Sequence, residues 1–360
     1  MRLNRLLYTA SALLIRHSAS AFISPFKQSK VHTSGIHHST TKTHHSTSKH
    51  TILSIRGGDI KSTIMSTTAL PMHLGPVLKE ALVSGTPLRA VGALYAIASL
   101  VVVPLTWYRT AYSFSVGYGL SVAAIAFALL SSFTFTGGDG NNLSIAGLQS
   151  LSTPSILALT ALIYGLRLGL YILVRERTVE SKKKQFEDMN KTPVLKRTPL
   201  ALGVSLLYAF MVSPVLFALR TTVESGSKLE LVQNIFTGVA AFGTVLEAVA
   251  DAHKYEVKRK SKDGEDKFVG PTTWSYKLCR HPNYYGEILH WVGLFGAGCV
   301  VFGKDIVAWV SGLLGLWGIL AIMLGASKGL DKKQEKKYSG QPAYDEWKEK
   351  VTSSVIPFLR

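Results

Sequence analysis

The sequence predicts an all-α protein, a polytopic membrane helix bundle with about seven transmembrane helices. Hydrophobic residues make up 47% of the 360-residue chain and charged residues only 17%, a balance more typical of membrane proteins than of globular enzymes. The formal net charge of +18 is carried in blocks between apolar runs. That placement indicates membrane-flanking loops rather than a nucleic-acid surface. The two cysteines, Cys279 and Cys299, form no CxxC pair, so neither a disulfide framework nor a structural zinc site is expected.

The N-terminal part of the chain has the composition of targeting segments. Residues 1–21 combine basic residues with a short apolar run and end in small residues, as a secretory signal peptide does. Residues 22–70 are rich in hydroxylated and basic residues, with no Asp or Glu before Asp59, which is typical of a plastid transit peptide. The A-S-A-F junction resembles the two-part presequence of algae with secondary plastids, such as diatoms. A plastid membrane is therefore expected; a disordered tail on an endoplasmic-reticulum protein is the alternative.

A histidine-rich tract lies within this presequence, over residues 32–50. Tracts of this composition can bind metal ions. Here the tract has no predicted fold to fix a coordination geometry, and it belongs to a segment that is expected to be removed. We therefore predict no metal site from these histidines.

Beyond Pro71 the chain alternates between apolar runs and polar connections. The runs have about the 20 residues that a membrane helix needs, and several contain the Gly, Ser and Pro that such helices tolerate. Residues 71–154 are assigned to N-terminal membrane helices and residues 155–360 to a C-terminal membrane domain. We expect helices near residues 90–107, 111–133, 155–174, 199–219, 231–253, 284–303 and 306–326.

The charges in the connections support this number of helices. Basic residues concentrate after the third, fifth and seventh runs, in residues 175–197, 254–280 and 328–360. With seven crossings these three stretches fall on one side of the membrane, and one spurious run would divide them between both sides. Because basic residues are enriched on the side that is not translocated, we expect the stretches to face the cytosol or the stroma.

The third and fifth runs carry charged residues within apolar sequence. Arg167 lies one turn after Tyr164 in the third run. A guanidinium in lipid is costly, so Arg167 is expected to face the bundle interior and meet a partner, unless it snorkels to the basic end. Glu247 and Asp251 are spaced i, i+4, on one face of the fifth run, where they are candidates to pair with Arg167 or to bind hydroxyl groups. A simple interfacial ladder of charges is the alternative.

The start of the sixth run is unusually polar. Residues 274–291 read WSYKLCRHPNYYGEILHW, and the His-Pro pair favours a helix start there. Asn283 then lies in the first turn, where backbone N–H groups near Arg280 can bind an anion. Glu287 and His290 lie deeper, where an unpaired carboxylate is expensive. This set of side chains at the mouth of an apolar helix predicts a ligand site.

The spelling R-H-P-N-Y-x-G-E before an apolar helix resembles the C-terminal region of the steroid 5-alpha-reductase superfamily, and most closely its DUF1295 branch. Three further pieces follow the order of that superfamily: Y-G-L-R-L-G-L-Y-I-L-V-R-E-R, E-A-V-A-D-A-H-K-Y-E-V-K and Y-D-E-W-K-E-K-V-T-S-S-V-I-P-F. Each piece alone is a weak signal, whereas the set is specific. The resemblance covers roughly residues 155–358, and Trp347 departs from it by standing where a Tyr is usual.

The resemblance implies a membrane reductase that uses NADPH to saturate a carbon–carbon double bond in a sterol, isoprenoid or fatty-acyl enone. The lipid would enter from the bilayer, with no obligate protein partner. Two residues are expected to be catalytic: Tyr164 as the donor to the substrate carbonyl, and Glu287 as the partner of the nicotinamide amide or a neighbouring donor. The residues expected to bind NADPH, through phosphates, ribose or ring packing, are Arg167, Arg175, Arg177, Asp251, Lys258, Arg280, His281, Asn283 and Tyr284.

Two alternatives remain open from the sequence. Membrane methyltransferases of the isoprenylcysteine carboxyl type, which use S-adenosylmethionine, resemble this chain in a similar R-H-P-x-Y-x-G pattern and tail. Asn283 and the Gly286–Glu287 pair favour the reductase. The other alternative is a lipid-binding membrane protein that keeps the fold without catalysis.

Overall fold

The computed structural model shows a helical protein over the residues that it describes, which are 75–134, 151–178, 187, 190, 192–260 and 267–359. The predicted signal peptide, transit peptide and histidine tract lie outside these residues. The chain divides into two compact units. Lys79–Arg360 belong to one of them, and of the other, Ser24–Leu78, only residues 75–78 are described.

Long helices account for most of the described chain. A helical segment over residues 75–83 precedes them, and short 3-10 turns stand at Thr110–Phe114 and Trp274–Lys277. In chain order the α-helices are α1 (Pro87–Tyr108), α2 (Val116–Phe133), α3 (Thr153–Thr178), α4 (Val194–Arg220), α5 (Lys228–Lys260), α6 (Pro282–Cys299), α7 (Ile306–Tyr338) and α8 (Pro342–Lys350).

The helices form the polytopic bundle that the sequence predicts. Six of them, α1 to α5 and α7, are long and apolar enough to cross a membrane. The sixth predicted run corresponds to α6, which is not among these six helices. It carries Glu287 and His290, and both side chains are buried. Because α6 packs against α4, α5 and α7, these polar groups meet protein instead of lipid, and an apolar composition is not required of this helix.

Contacts between helix ends define an up-and-down arrangement. At one end, Arg109 after α1 forms an ion pair with Glu176 near the end of α3. At the other end, the Thr153 hydroxyl at the start of α3 donates to Asn234 Oδ1 near the start of α5, at 2.6 Å. The predicted basic stretches follow α3, α5 and α7, so they leave the bundle at the Arg109 end. Which side of the membrane this end faces stays a prediction.

Glycines allow two pairs of helices to approach closely. On α5 and α6, a Cβ added to Gly286 would lie 2.6 Å from the backbone nitrogen of Glu247 and 2.7 Å from the carbonyl oxygen of Gly243. On α2 and α3, a Cβ at Gly119 would lie 2.7 Å from the carbonyl oxygen of Gly165. Such backbone contact is the usual role of small residues between membrane helices. It brings the polar side chains beside these glycines within hydrogen-bonding reach of one another.

We expect Gly286→Ala to destabilise the bundle, because the added methyl group meets backbone atoms that cannot rotate away. The free energy of unfolding should fall by about 1–3 kcal/mol, the usual range for overpacking. Thermal unfolding of the purified protein in detergent measures the change. Gly238→Ala is the matched control, since a Cβ at Gly238 on α5 meets nothing within 4 Å. Equal unfolding temperatures for the two variants would contradict the close packing of α5 and α6.

Candidate active site

A hydrogen-bonded group of aromatic and acidic side chains lies where α2, α3 and α6 meet. The hydroxyl of Tyr118 lies 2.8 Å from Glu287 Oε1 and 3.0 Å from the hydroxyl of Tyr164. Trp291 Nε1 donates to the same Tyr118 oxygen at 2.8 Å. All four side chains are buried. We call these four residues the inner cluster.

The hydrogen positions of the inner cluster follow from donor counting. A phenol has one hydrogen, and Tyr118 donates its hydrogen to Glu287 Oε1. In the contact between the two phenols, Tyr164 is therefore the donor and Tyr118 the acceptor. Because Glu287 keeps the hydrogen of Tyr118, a ligand oxygen can accept the hydrogen of Tyr164 without leaving Glu287 unpaired.

His290 fixes the ring of Tyr164. The imidazole stacks on the phenol with 3.9 Å between ring centroids and 12° between planes. His290 Nδ1 lies 2.9 Å from Thr244 Oγ1 and 3.3 Å from the carbonyl oxygen of Ala240. Since the Thr244 hydroxyl itself donates to that carbonyl, Nδ1 carries the hydrogen. Nε2 is then an acceptor, and it is buried with no hydrogen-bond partner among the described residues.

A charged group, the outer cluster, lies beside the inner one and connects α3, α5 and α6. It consists of Arg167, Glu247, Asp251 and Asn283. Arg167 Nη2 lies 2.6 Å from Glu247 Oε1, and Nη1 lies 3.0 Å from Asp251 Oδ2. Asn283 Nδ2 donates to the other oxygen of Asp251 at 3.2 Å. The predicted inward orientation of Arg167 and its pairing with the two acids are confirmed.

The outer cluster contains polar atoms whose hydrogen-bonding capacity is not used. Arg167 Nε, Glu247 Oε2 and Asn283 Oδ1 are buried, and none has a hydrogen-bond partner within the described part of the chain. A buried polar atom without a partner costs about 1–3 kcal/mol, so native proteins rarely leave several of them together. One donor and two acceptors beside each other indicate a place where a polar ligand binds.

Arg280 and His281 lie at the start of α6, as the sequence predicts, and both contact a carboxylate on another helix. Arg280 forms a two-pronged ion pair with Asp331 on α7, at 2.8 and 3.2 Å, and also donates to the carbonyl oxygens of Val351 and Thr352. His281 Nε2 lies 2.8 Å from the same carboxylate. These groups fix the C-terminal segment to the start of α6. The donors of Arg280 are occupied by protein, so a role of Arg280 as a phosphate ligand is not what this geometry favours. His281 is occupied only at Nε2, since its Nδ1 is buried with no hydrogen-bond partner among the described residues.

The charge state of His281 supports a structural role. Burial lowers the pKa of His281, and the Asp331 carboxylate offsets this effect only in part. The imidazole is therefore neutral near pH 7, with its hydrogen on Nε2 and donated to Asp331 Oδ1. Because Ser354 donates to the second carboxylate oxygen at 2.7 Å, Asp331 is saturated by three side chains. We call Arg280, His281, Asp331 and Ser354 the C-terminal clamp.

The remaining predicted residues lie around the outer cluster at the basic end. Arg175 is half-buried, with its guanidinium 5.3 Å from the ring centroid of Tyr171. Arg177 and Lys258 are exposed at the ends of α3 and α5. Tyr284 is half-buried and stacks on the His281 ring with centroids 5.6 Å apart. The structure therefore places these cations at a rim and not in direct contact with the buried clusters.

Three functional residues were missed by sequence reasoning. Tyr118 and Trp291 complete the inner cluster, and Asp331 holds the C-terminal clamp. A signal for Tyr118 was present, because it stands between two glycines in V-G-Y-G-L, where a helix is close to its neighbour. For Asp331, one of two acids in a lysine-rich helix end, the sequence offers no comparable signal.

Comparison with known families agrees with this architecture. Residues 122–351 match the family model described as "Protein of unknown function (DUF1295)". The matched region begins within α2 and ends just after α8, so it includes Tyr164, Glu287, the outer cluster and most of the clamp, but neither Tyr118 nor Ser354. None of the curated proteins matches the chain.

We expect Asp331→Asn to release the C-terminal segment. The substitution keeps the shape but removes the charge from hydrogen bonds worth about 1.5–3 kcal/mol each to a charged group. Hydrogen exchange of the backbone amides of Arg280 and His281, which donate to Ser353 and Ser354, should accelerate, while that of α2 should not change. Lys332→Gln, the exposed neighbour on α7, is the matched control. Unchanged protection in Asp331→Asn would show that the clamp does not hold this segment.

Proposed function

The chain belongs to the DUF1295 family, and from that premise we propose that it is a membrane-embedded reductase. In this proposal it uses NADPH to saturate an electron-poor carbon–carbon double bond in a lipid. The observation that carries the proposal is the adjacency of the two clusters: Arg167, Glu247 and Asn283 offer unused hydrogen-bonding atoms, and the hydrogen of Tyr164 can be redirected to a ligand. One cluster is suited to holding a polar cofactor and the other to polarising a substrate carbonyl.

The outer cluster fits the uncharged polar end of a nicotinamide cofactor. A carboxamide offers one acceptor and two donors, which complement Arg167 Nε and the free oxygens of Glu247 and Asn283. The ribose hydroxyls can pair with the same kinds of atoms. The positive charge of Arg167 is already balanced by two carboxylates. This arrangement favours amide and hydroxyl groups over phosphates, so Arg167 is proposed to bind the amide or ribose end of the cofactor.

The phosphates of the cofactor are assigned to cations further along the same helices. Arg175 lies eight residues beyond Arg167 on α3, about 12 Å along the axis. Arg177 and Lys258 are exposed beyond it, at the aqueous end. Guanidinium groups bind phosphate oxygens with two parallel hydrogen bonds. A dinucleotide can therefore lie along α3 and α5, with its nicotinamide end inside the bundle and its phosphates at the rim.

The inner cluster supplies the groups that a carbonyl-activated reduction needs. When bound, NADPH supplies the hydride for the double bond. As negative charge develops on the conjugated carbonyl oxygen, the Tyr164 hydroxyl donates to it, which stabilises the enolate in a site that excludes water. Glu287 holds the hydrogen of Tyr118, so Tyr118 remains an oriented neighbour of Tyr164. His290 keeps the reacting phenol in its plane.

The surroundings of the site favour a lipid as substrate. The outer face of α3 beside Tyr164 exposes Ile163, Leu166 and Leu170, which in a membrane face the acyl chains. The site is also enclosed by helices long and apolar enough to span the bilayer. An enone of the sterol, isoprenoid or fatty-acyl class therefore reaches the phenols from the bilayer. The membrane is proposed to be that of a plastid, with the endoplasmic reticulum as the alternative.

We expect the purified protein to bind NADPH and not S-adenosylmethionine. Asn283→Ala should weaken NADPH binding about tenfold, since loss of one hydrogen bond in a buried site costs about 1.4 kcal/mol. Ligand-induced shifts of the unfolding temperature measure both effects. Asn234→Ala is the control, because Asn234 is exposed at the opposite end of the bundle. A shift with S-adenosylmethionine alone would favour the methyltransferase instead.

We expect Tyr164→Phe to retain NADPH binding and to lose turnover by about 100-fold or more, as removal of a positioned proton donor usually does. The substrate source is a lipid extract from cells that lack the protein, in which the unsaturated precursor should accumulate. Oxidation of NADPH by this extract measures the rate.

Tyr108→Phe is the control for this experiment, because Tyr108 is exposed and lies outside both clusters. If wild-type protein binds NADPH but oxidises none with any extract, the chain is a lipid-binding protein without catalysis. If Tyr164→Phe turns over as fast as wild type, Tyr164 is not the donor.

A further inference from the structure

Large apolar side chains are exposed on the basic end of the protein, outside the helices that can cross a membrane. Trp274 is 75% exposed and Phe358 is 88% exposed. Leu278 and Leu359 are exposed beside them in sequence. Soluble surfaces rarely carry contiguous apolar side chains of this size without a partner. The exposed apolar residues of α3, α5 and α7 can face lipid, because these helices are able to cross a membrane. Trp274, Leu278, Phe358 and Leu359 lie outside such helices, so their exposure needs another explanation.

The two segments that carry these residues are joined to each other. The backbone nitrogens of Arg280 and His281 donate to the carbonyl oxygens of Ser353 and Ser354, at 3.0 and 2.9 Å. In addition, Trp347 Nε1 on α8 donates to the carbonyl oxygen of Tyr276 at 3.2 Å. The loop before α6 and the C-terminal segment therefore belong to one surface. We call residues 274–278 and 356–359 the apolar rim.

Contacts with α5 place the loop of this rim at the level of the membrane boundary. The hydroxyl of Tyr276 donates to the carbonyl oxygen of Ala250 at 3.2 Å. On α5 the exposed apolar face ends at Val249, and the charged stretch begins at Lys254. Ala250 lies between them, where this helix passes from hydrocarbon to water. A side chain that leaves the loop at this level enters the headgroup region instead of bulk water.

Both of the most exposed aromatic residues have a strained backbone conformation. Among the described residues, Trp274 and Phe358 are the non-glycine residues with positive φ, at 55° and 65°. A bulky residue in this region is an outlier, and such strain persists where the surroundings impose it. Tryptophan in particular concentrates at the membrane interface, where its ring is in an apolar layer and its N–H remains hydrated.

Charge in the same loop complements a lipid headgroup layer. The stretch WSYKLCRH contains basic residues and no acid, and Lys277 is exposed between Trp274 and Leu278. A lysine between two exposed apolar side chains is the pattern of segments that bind anionic interfaces, with the apolar groups inserted and the ammonium at the phosphates.

We propose that the apolar rim is a lipid-binding surface that inserts into the boundary between headgroups and acyl chains at the basic end of the protein. This proposal does not depend on the enzymatic activity. The proposal also has a consequence for the position of the candidate active site in the membrane. The inserted loop continues directly into the C-terminal clamp and Asn283, so contact with the bilayer holds the entrance of the outer cluster at a fixed depth.

The test uses the full-length protein reconstituted into phosphatidylcholine–phosphatidylglycerol vesicles whose acyl chains carry bromine either near the headgroup or near the chain end. Bromine quenches tryptophan only by contact, so it reports depth. The emission of Trp274 is obtained by subtracting the spectrum of Trp274→Phe, which removes an exposed side chain. Trp317, half exposed on α7, is treated in the same way with Trp317→Phe as the deep reference.

We expect Trp274 to be quenched strongly by bromine near the headgroup, and only weakly by bromine near the chain end or by aqueous iodide. Trp317, the deep reference, should be quenched by bromine near the chain end. Strong quenching of Trp274 by iodide, with none by bromine, would overturn the proposal by placing the rim in water. Protection from both quenchers would overturn it as well, because another protein surface would then cover the rim. Both variants must elute at the wild-type position in size exclusion.

Discussion

The charge of Arg167 is the constraint on which the rest of the structure depends. A guanidinium inside a membrane bundle requires compensation, and Glu247 and Asp251 supply it from successive turns of α5. Asn283 on α6 donates to the same Asp251. The ion pairs of Arg167, together with this hydrogen bond, therefore fix α3, α5 and α6 relative to each other. Breaking a buried pair of this kind leaves an uncompensated charge and costs about 3–5 kcal/mol. This cluster therefore determines both the assembly of the bundle and the location of the unpaired polar atoms within it.

The close packing of α5 on α6 makes this arrangement possible. Gly243 and Gly286 allow the two backbones to touch, and this contact brings Glu247 beside the turn that presents Glu287. On the other side of the site, Gly119 and Gly165 bring α2 against α3, which puts the two phenols within hydrogen-bonding distance. Small residues thus position the chemistry indirectly. They set the helix separation, and the separation decides which long polar side chains can meet.

The division of roles among the basic residues is also a consequence of tertiary packing. The sequence predicts that Arg280 and Arg167 both bind the cofactor, yet each is paired with a carboxylate on another helix. Arg175 is left nearer to water. Because a phosphate ligand needs a guanidinium that is not already paired, the partners of each arginine decide its function more than its position along the chain does.

The sequence by itself determined the membrane class, the helical architecture and the approximate bounds of the helices, because apolar runs of sufficient length have one stable form in a bilayer. It also predicted most of the candidate site, since Arg167, Glu247, Asp251, Asn283 and Glu287 are polar residues in apolar runs, where each must have a partner. Only the tertiary structure decided which residues pair with these polar side chains. Tyr118, Trp291 and Asp331 join the site or the clamp through contacts between residues far apart in the chain. Hydropathy and local spacing carry no information about which residues far apart in the chain come into contact.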